Sequence, residues 1–207
     1  MSRRRAHKNP PNLHGLLLVD KPAGMTSHDV VDAVRRIAGQ RQVGHTGTLD
    51  PAATGLLALC LGEATKLAEY LTGLKKVYSG RMRLGAVSST QDAEGEITPV
   101  SGARAPSEEE LRAATRNFLG EIEQIPPAHS AKKVDGRRLY EYARAGETVE
   151  VKPRIVRIHR YDILNYEWPE AAFETECGSG TYVRRLVHDL GEDLGCGAYL
   201  SALRRLE

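Results

Sequence analysis

Cysteine is scarce in this 207-residue chain: Cys60, Cys177 and Cys196 are odd in number, far apart and in no C-x-x-C spacing. That excludes a disulfide framework and gives no support to a thiolate zinc site; a reducing compartment, the cytoplasm, is expected. Long apolar runs are also missing. Leu16 to Val19 is too short for a signal-peptide core behind Arg3-Arg4-Arg5, and the best run, Leu56 to Leu61, has the length of a buried strand rather than a membrane span. There is no internal repeat and no low-complexity segment. A formal net charge of +2 is too small to announce a polyanionic partner by itself.

What is present is an ordinary globular composition, 41% apolar and 27% charged with 20 Gly and 10 Pro, long enough to bury about 70% of its unfolded surface without staples. Charge is uneven along the chain. From His129 to Arg160 nine Lys/Arg face four Asp/Glu, a local +5, whereas Ala86 to Glu123 carries three against eight, a local −5. One face is expected to gather phosphates and another to repel them, the alternative being charged loops that are simply solvated.

Residues 1–12, basic and broken by Pro10-Pro11, read as a mobile arm, with a single domain from residue 13 onward. Leu16 to Val19 is a strand ended at Lys21-Pro22. A helix opens at Thr26 or Ser27, with Asp29 near its first amides, the apolar stripe Val30, Val31, Val34, Ile37 and Ala38, and Gly39 as its stop. Leu56 to Leu61 is a strand, Glu63 to Leu71 a helix and Lys75 to Leu84 a strand. In that last strand Tyr78, Met82 and Leu84 share one face, and Gly80 leaves room for something to approach the backbone. Ser107 and Glu110 form a capping box for a helix that buries Leu111, Ala114, Phe118 and Leu119. A loop-rich basic insertion, 125–150, carries a short helix near 139–143. Strands at 154–164 and 171–177 precede a helix after Gly180, with Val183, Leu186, Val187, Leu190 and Leu194 inside. Strands and helices mix without regular βα alternation, which argues an α+β fold around a mixed, largely antiparallel sheet flanked by helices.

The densest chemical signal is the loop Gly44-His45-Thr46-Gly47-Thr48-Leu49-Asp50-Pro51-Ala52-Ala53-Thr54-Gly55. Pro51 pushes Asp50 extended, and the small residues let a flat ligand lie near the backbone. Asp50 is either a presented anion or a turn residue. No second carboxylate has the spacing of a glycosidase pair, and no Gly-Lys-Ser/Thr makes a phosphate loop. His45 and His188-Asp189 follow none of the usual metal-ligand spacings. Arg184 and Arg185 sit in the first turn of a helix, against its macrodipole, at a cost of a few tenths of a kcal/mol or more. Such a conflict is tolerated where an anion compensates, a protein carboxylate or a nucleic-acid phosphate; otherwise the arginines are solvated. Tyr78 and Tyr182 are candidate platforms or hydroxyl donors. Lys132, Lys133, Arg137 and Arg138, interleaved with Tyr140 and Tyr142, suggest phosphate contacts to RNA.

Together, the segment Gly15 to Ser27, the Gly44 to Gly55 loop, Lys76-Val77-Tyr78, Pro126 to Arg138 and Gly180-Thr181-Tyr182-Val183-Arg184 resemble the TruB family of tRNA pseudouridine synthases, over about Gly15 to Leu206. The resemblance implies the pseudouridine-synthase fold with a central active-site cleft, and conversion of a T-arm uridine, position 55 of tRNA, to pseudouridine after base flipping. It places Asp50 on the catalytic aspartate, with Arg184 pairing to it and Tyr78 receiving the base. His45, Tyr78, Tyr182 and Leu203 fall on substrate contacts, and Lys21, Lys132, Lys133, Arg137 and Arg138 are further candidates. The basic insertion would grip the T stem-loop. The small C-terminal RNA-binding domain of many members is expected to be absent after Glu207. The chemistry consumes no electrons and no net proton, so no cofactor and no metal are expected, nor a membrane; the chain is expected to act as a monomer on tRNA. A relative working inside a guide-RNA particle, a non-catalytic RNA-binding protein and a metal-dependent hydrolase using His45, Asp50 and His188 are the competing readings.

Overall fold

The computed structural model describes residues 12–130 and 132–207, so the basic arm expected at 1–12 lies almost wholly outside the described residues. The domain expected from residue 13 onward divides at Gly73 into two compact units, 1–73 and 74–207.

In the first unit, β1 (Gly15–Lys21) pairs antiparallel with β3 (Thr54–Leu61) from Gly15↔Leu61 to Lys21↔Gly55, and β2 (Val43–His45) pairs with β3 from Val43↔Leu61 to His45↔Leu59. α1 (Ser27–Ala38) lies over this ladder. Val30, Val31, Val43, Leu57, Leu59 and Leu61 form its core, with Val19, Met25 and Val34 packed alongside. The helix starts where the sequence predicts. The Thr26 hydroxyl accepts from the Asp29 amide, and the Asp29 carboxylate accepts from the Thr26 amide, two orphan donors satisfied at once. Gly39 ends it at φ 63, the left-handed region that suits glycine. Ile37 departs from expectation: it follows the stripe at i+7 from Val30 but sits in the last turn of the helix and is 87% exposed. The helix expected at 63–71 is a 3-10 turn, Gly62–Leu67, followed by the single-turn α2 (Ala68–Thr72).

The second unit is built on five antiparallel strands in the order β12 (Ala198–Arg205), β4 (Lys76–Leu84), β11 (Glu170–Cys177), β10 (Arg154–Glu167), β7 (Gly120–Gln124). One face carries Met82, Leu84, Phe173, Thr175, Cys177, Ile158, Tyr161 and Ile163, all buried. α5 (Val183–Asp193) buries Val183, Leu186, Val187 and Leu190, and α3 (Glu108–Arg116) buries Leu111 and Ala114. The Ser107/Glu110 capping box is present; Phe118 and Leu119, expected inside α3, lie beyond its end, and Leu119 is 45% exposed. A hairpin of β5 (Ala86–Ser88) and β6 (Ile97–Pro99) and the pair β8 (Lys133–Val134) and β9 (Arg137–Arg138) stand apart from the main sheet, and α4 (Leu139–Arg144) follows β9. Within each unit the named strand ladders are antiparallel, as the mixing of elements predicts.

One expectation about β4 is corrected. The space over Gly80 is taken by the Phe173 ring, which a Cβ there would strike, so the glycine serves core packing rather than ligand approach. On β12, the register slips by one residue between Leu200 and Ala202. That extra residue switches the alternation: Leu203 falls opposite Gly80 and Arg205 opposite Tyr78, so both join the Tyr78 face.

Candidate functional site

In the first unit, the Asp50 loop is held from both sides by residues far from it in sequence. The Ser27 hydroxyl, at the start of α1, donates to the Leu49 carbonyl at 3.1 Å and accepts from the Leu49 amide at 2.8 Å. On the other side of Asp50, the Pro51 carbonyl accepts from the Gly24 amide at 2.9 Å and from Lys21 Nζ at 3.1 Å. The Lys21 ammonium also donates to the carbonyls of Met25 at 2.7 Å and Pro22 at 2.9 Å, and Lys21 is fully buried. A buried ammonium is tolerated only with its hydrogen bonds satisfied. Lys21, a candidate for substrate contact, thus donates to three carbonyls of the loops around Asp50. Leu49 and Ala53, each 3% exposed, anchor the loop in the core, while Asp50 between them is half-buried. The Ala53 amide closes a turn on the Asp50 carbonyl at 3.1 Å. By its backbone, Asp50 is thus a turn residue. His45 ends β2, half-buried, with its Nδ1 accepting from the Gly47 amide at 3.3 Å.

In the second unit, Tyr78 is 7% exposed on the inner face of β4, with Leu203 and Arg205 on the same face of β12. Lys76, two residues earlier on β4, is half-buried, and its ammonium is pulled below the usual lysine range by desolvation and by the Arg205 charge. Tyr182 is the residue that caps α5, and a side chain missed in the sequence holds it there. Gln124 of β7, 1% exposed, accepts from the Tyr182 amide at 2.8 Å and donates to its carbonyl at 3.1 Å.

The arginines opposing the α5 macrodipole are compensated by protein carboxylates. Arg184, 5% exposed, pairs with Asp92 at 3.2 Å and donates to the His129 carbonyl at 2.8 Å. Arg185 pairs with Asp189 one turn on at 2.7 Å. Solvated arginines are therefore excluded at Arg184. The resemblance pointed to Asp50 as the partner of Arg184; the carboxylate found beside it within residues 74–207 is Asp92. Asp92 lies in the β5–β6 hairpin, where its carboxylate also accepts from the Thr90 hydroxyl and the Glu94 amide. Nothing in the local pattern Ser-Ser-Thr-Gln-Asp-Ala-Glu-Gly marks it out, because its partner is 92 residues away.

In the basic insertion Arg137 is tied to Glu147 at 2.8 Å and lies 4.5 Å from the centroid of the Tyr142 ring, while Arg138 and Arg144 flank Tyr140 at 5.8 and 5.3 Å. The tyrosines thus carry arginines on their faces. Lys133 and Arg138 are exposed; Lys132 is half-buried, its Nζ reaching the Lys152 carbonyl at 3.5 Å. Asp189 is engaged with Arg185, and His188 lines a different surface cleft with Glu96 and Glu192. No group of three or more His, Cys, Asp or Glu side chains among the described residues is placed to hold a metal ion.

A family profile described as TruB family pseudouridylate synthase (N terminal domain) matches residues 35–183. The tRNA pseudouridine synthase B of Cupriavidus pinatubonensis is 50% identical over 212 residues, covering 97% of this chain and 66% of that protein. Those of Opitutus terrae and Thermobifida fusca are 49% and 50% identical, covering 93% and 92% of this chain and 80% and 68% of theirs. Most of these relatives are thus spanned over about two thirds of their length. Among solved structures, a chain of a Cbf5-Nop10-Gar1 complex superposes with a TM-score of 0.73 at 29% identity, covering 94% of this chain and 48% of that one. A chain of an H/ACA RNP bound to a substrate RNA containing 2'-deoxyuridine gives 0.69 at 28%, over 94% of this chain and 47% of that one. The chain belongs to the TruB family of pseudouridylate synthases.

Proposed function

We propose that this chain isomerises uridine to pseudouridine in tRNA, at the T-arm position 55, with Asp50 as the catalytic carboxylate. The observation that carries the reading is the Asp50 loop itself. A half-buried carboxylate is held on a backbone locked by Ser27 and Lys21, in a chain half identical to proteins called tRNA pseudouridine synthase B. Preorganisation of this kind is what a reaction needs when one group must meet one atom of a flipped nucleotide.

The balance of the reaction fits these residue types. The N1–C1′ bond breaks and a C5–C1′ bond forms; the C5 proton is lost and N1 gains one, with no net electron or proton. A carboxylate beside the sugar and ring meets that requirement without a cofactor or metal. Tyr78, with its ring on the inner face of β4, is the surface assigned to the extruded base, with Leu203 alongside. Tyr182, held by Gln124, and His45 are assigned to substrate contact, and Lys132, Lys133 and Arg138 to phosphates of the T arm. Arg184, clamped by Asp92, fixes positive charge at the start of α5.

The experiment is incubation of the purified chain alone with an unmodified uridine-containing T stem-loop, followed by nucleoside analysis. Pseudouridine at the single target position is expected, and none with Asp50→Asn. Absence of product, or turnover by Asp50→Asn, overturns the assignment. Activity that appears only when a guide RNA and partner proteins are added points instead to the mode of the particle whose chain superposes here.

A further inference from the structure

One guanidinium beside Tyr182 has no role in the site described above. Arg154 opens β10 and lies opposite Gln124 of β7 in the ladder, so it neighbours the side chain that holds Tyr182. Its fork lies on the backbone of Gly180: a Cβ at that position would fall among Nη1, Nη2 and Cζ of Arg154. Gly180 is also at φ 78, so no other residue suits the position on either count. The turn beneath is tied down, the Gly178 amide donating to the Arg157 carbonyl at 2.7 Å and the Thr181 hydroxyl to the Gly178 carbonyl at 2.9 Å. Arg154 is half-buried, and among the described residues its guanidinium makes no hydrogen bond and no ion pair. Many arginines of this unit have a carboxylate, Arg83, Arg112, Arg160 and Arg184 among them, and Arg138 and Arg144 lie against the Tyr140 ring.

We infer that Arg154 is an RNA-backbone contact, its guanidinium held over Gly180 to take one phosphate of the tRNA next to the Tyr182 end of the site. A guanidinium laid on a glycine has lost most of its rotamer freedom before binding, which lowers the entropic cost of a bidentate phosphate contact. The stretch that carries Arg154 is basic, with nine Lys/Arg against four Asp/Glu from His129 to Arg160, which favours an anionic partner. The inference rests on the RNA-modifying reading given above.

The test measures binding of an unmodified tRNA transcript to the full chain across a salt series, together with the single-turnover rate at saturating protein. Arg154→Ala should weaken binding about fivefold at low salt and lower the slope of log K against log salt by about one. The saturating rate should stay within about twofold. Arg154→Lys, which keeps the charge but not the fork, should keep the slope and recover part of the affinity. Arg83→Ala, on the exposed Arg83–Glu170 pair, is the control for general charge loss and should leave the saturating rate unchanged. An unchanged slope in Arg154→Ala, or a loss confined to the saturating rate, overturns the inference. A wild-type chain that neither binds nor converts tRNA would instead count against the proposed function.

Discussion

Replacing Asp92 by alanine removes the carboxylate 3.2 Å from a guanidinium that is 5% exposed, and leaves the cation in the core at the positive end of α5. Breaking a buried pair from one side costs about 3–5 kcal/mol, because the remaining charge keeps its desolvation penalty and loses the attraction of that carboxylate. The helix macrodipole adds about 0.3–1 kcal/mol in the same direction. A domain of this size has about 5–15 kcal/mol in all, so Asp92→Ala should remove a large fraction of it. Urea denaturation should show a lower midpoint with little change in slope. Asp92→Asn, which preserves the shape and an acceptor for Thr90 and Glu94, should lose less. The double variant Asp92→Leu with Arg184→Met should regain stability relative to Asp92→Ala, since removing both charges also removes the penalty, while pseudouridine formation should stay low. A loss below about 1 kcal/mol in Asp92→Ala, or a double variant no better than the single, would refute the buried-pair argument.

Asp50→Ala should abolish product formation while tRNA binding stays within a few-fold, as gel-shift and nucleoside analysis on the same preparation will show. His45→Ala should weaken productive binding to folded tRNA and harm catalysis far less than Asp50→Ala. Its defect should shrink on an RNA whose target uridine is already unstacked, because the unstacking cost is then absent; equal defects on both RNAs would assign His45 another role. Lys21→Met should lower both stability and rate, because three carbonyls around Asp50 lose their donor; full activity in that variant would show that the loop holds its shape without it. All three cysteines are buried, and burial pushes the Cys177 thiol up to about 11, so iodoacetamide at pH 8 should label the chain slowly until it unfolds.

Local chemistry was legible in the sequence wherever the interacting groups are close along the chain. The capping boxes at Thr26/Asp29 and Ser107/Glu110 span three residues, the period of two put Phe173, Thr175 and Cys177 on one face, and the helical spacing of Val183, Leu186, Val187 and Leu190 put those side chains inside. Composition and the ordered motifs likewise led to the α+β class and the family. The tertiary structure alone decided what lies opposite each of these residues. Asp92 reaches Arg184, Gln124 brackets Tyr182 from 58 residues away, Phe173 fills the space over Gly80, and one slipped residue on β12 turns Leu203 and Arg205 toward Tyr78. Lys21 shows the same division in a single residue: its position at a strand end follows from Pro22, but its burial follows from three carbonyls that only the folded loops bring together. Propensity and periodicity act over a few residues, whereas pairing register and buried charge compensation depend on which segments fold side by side.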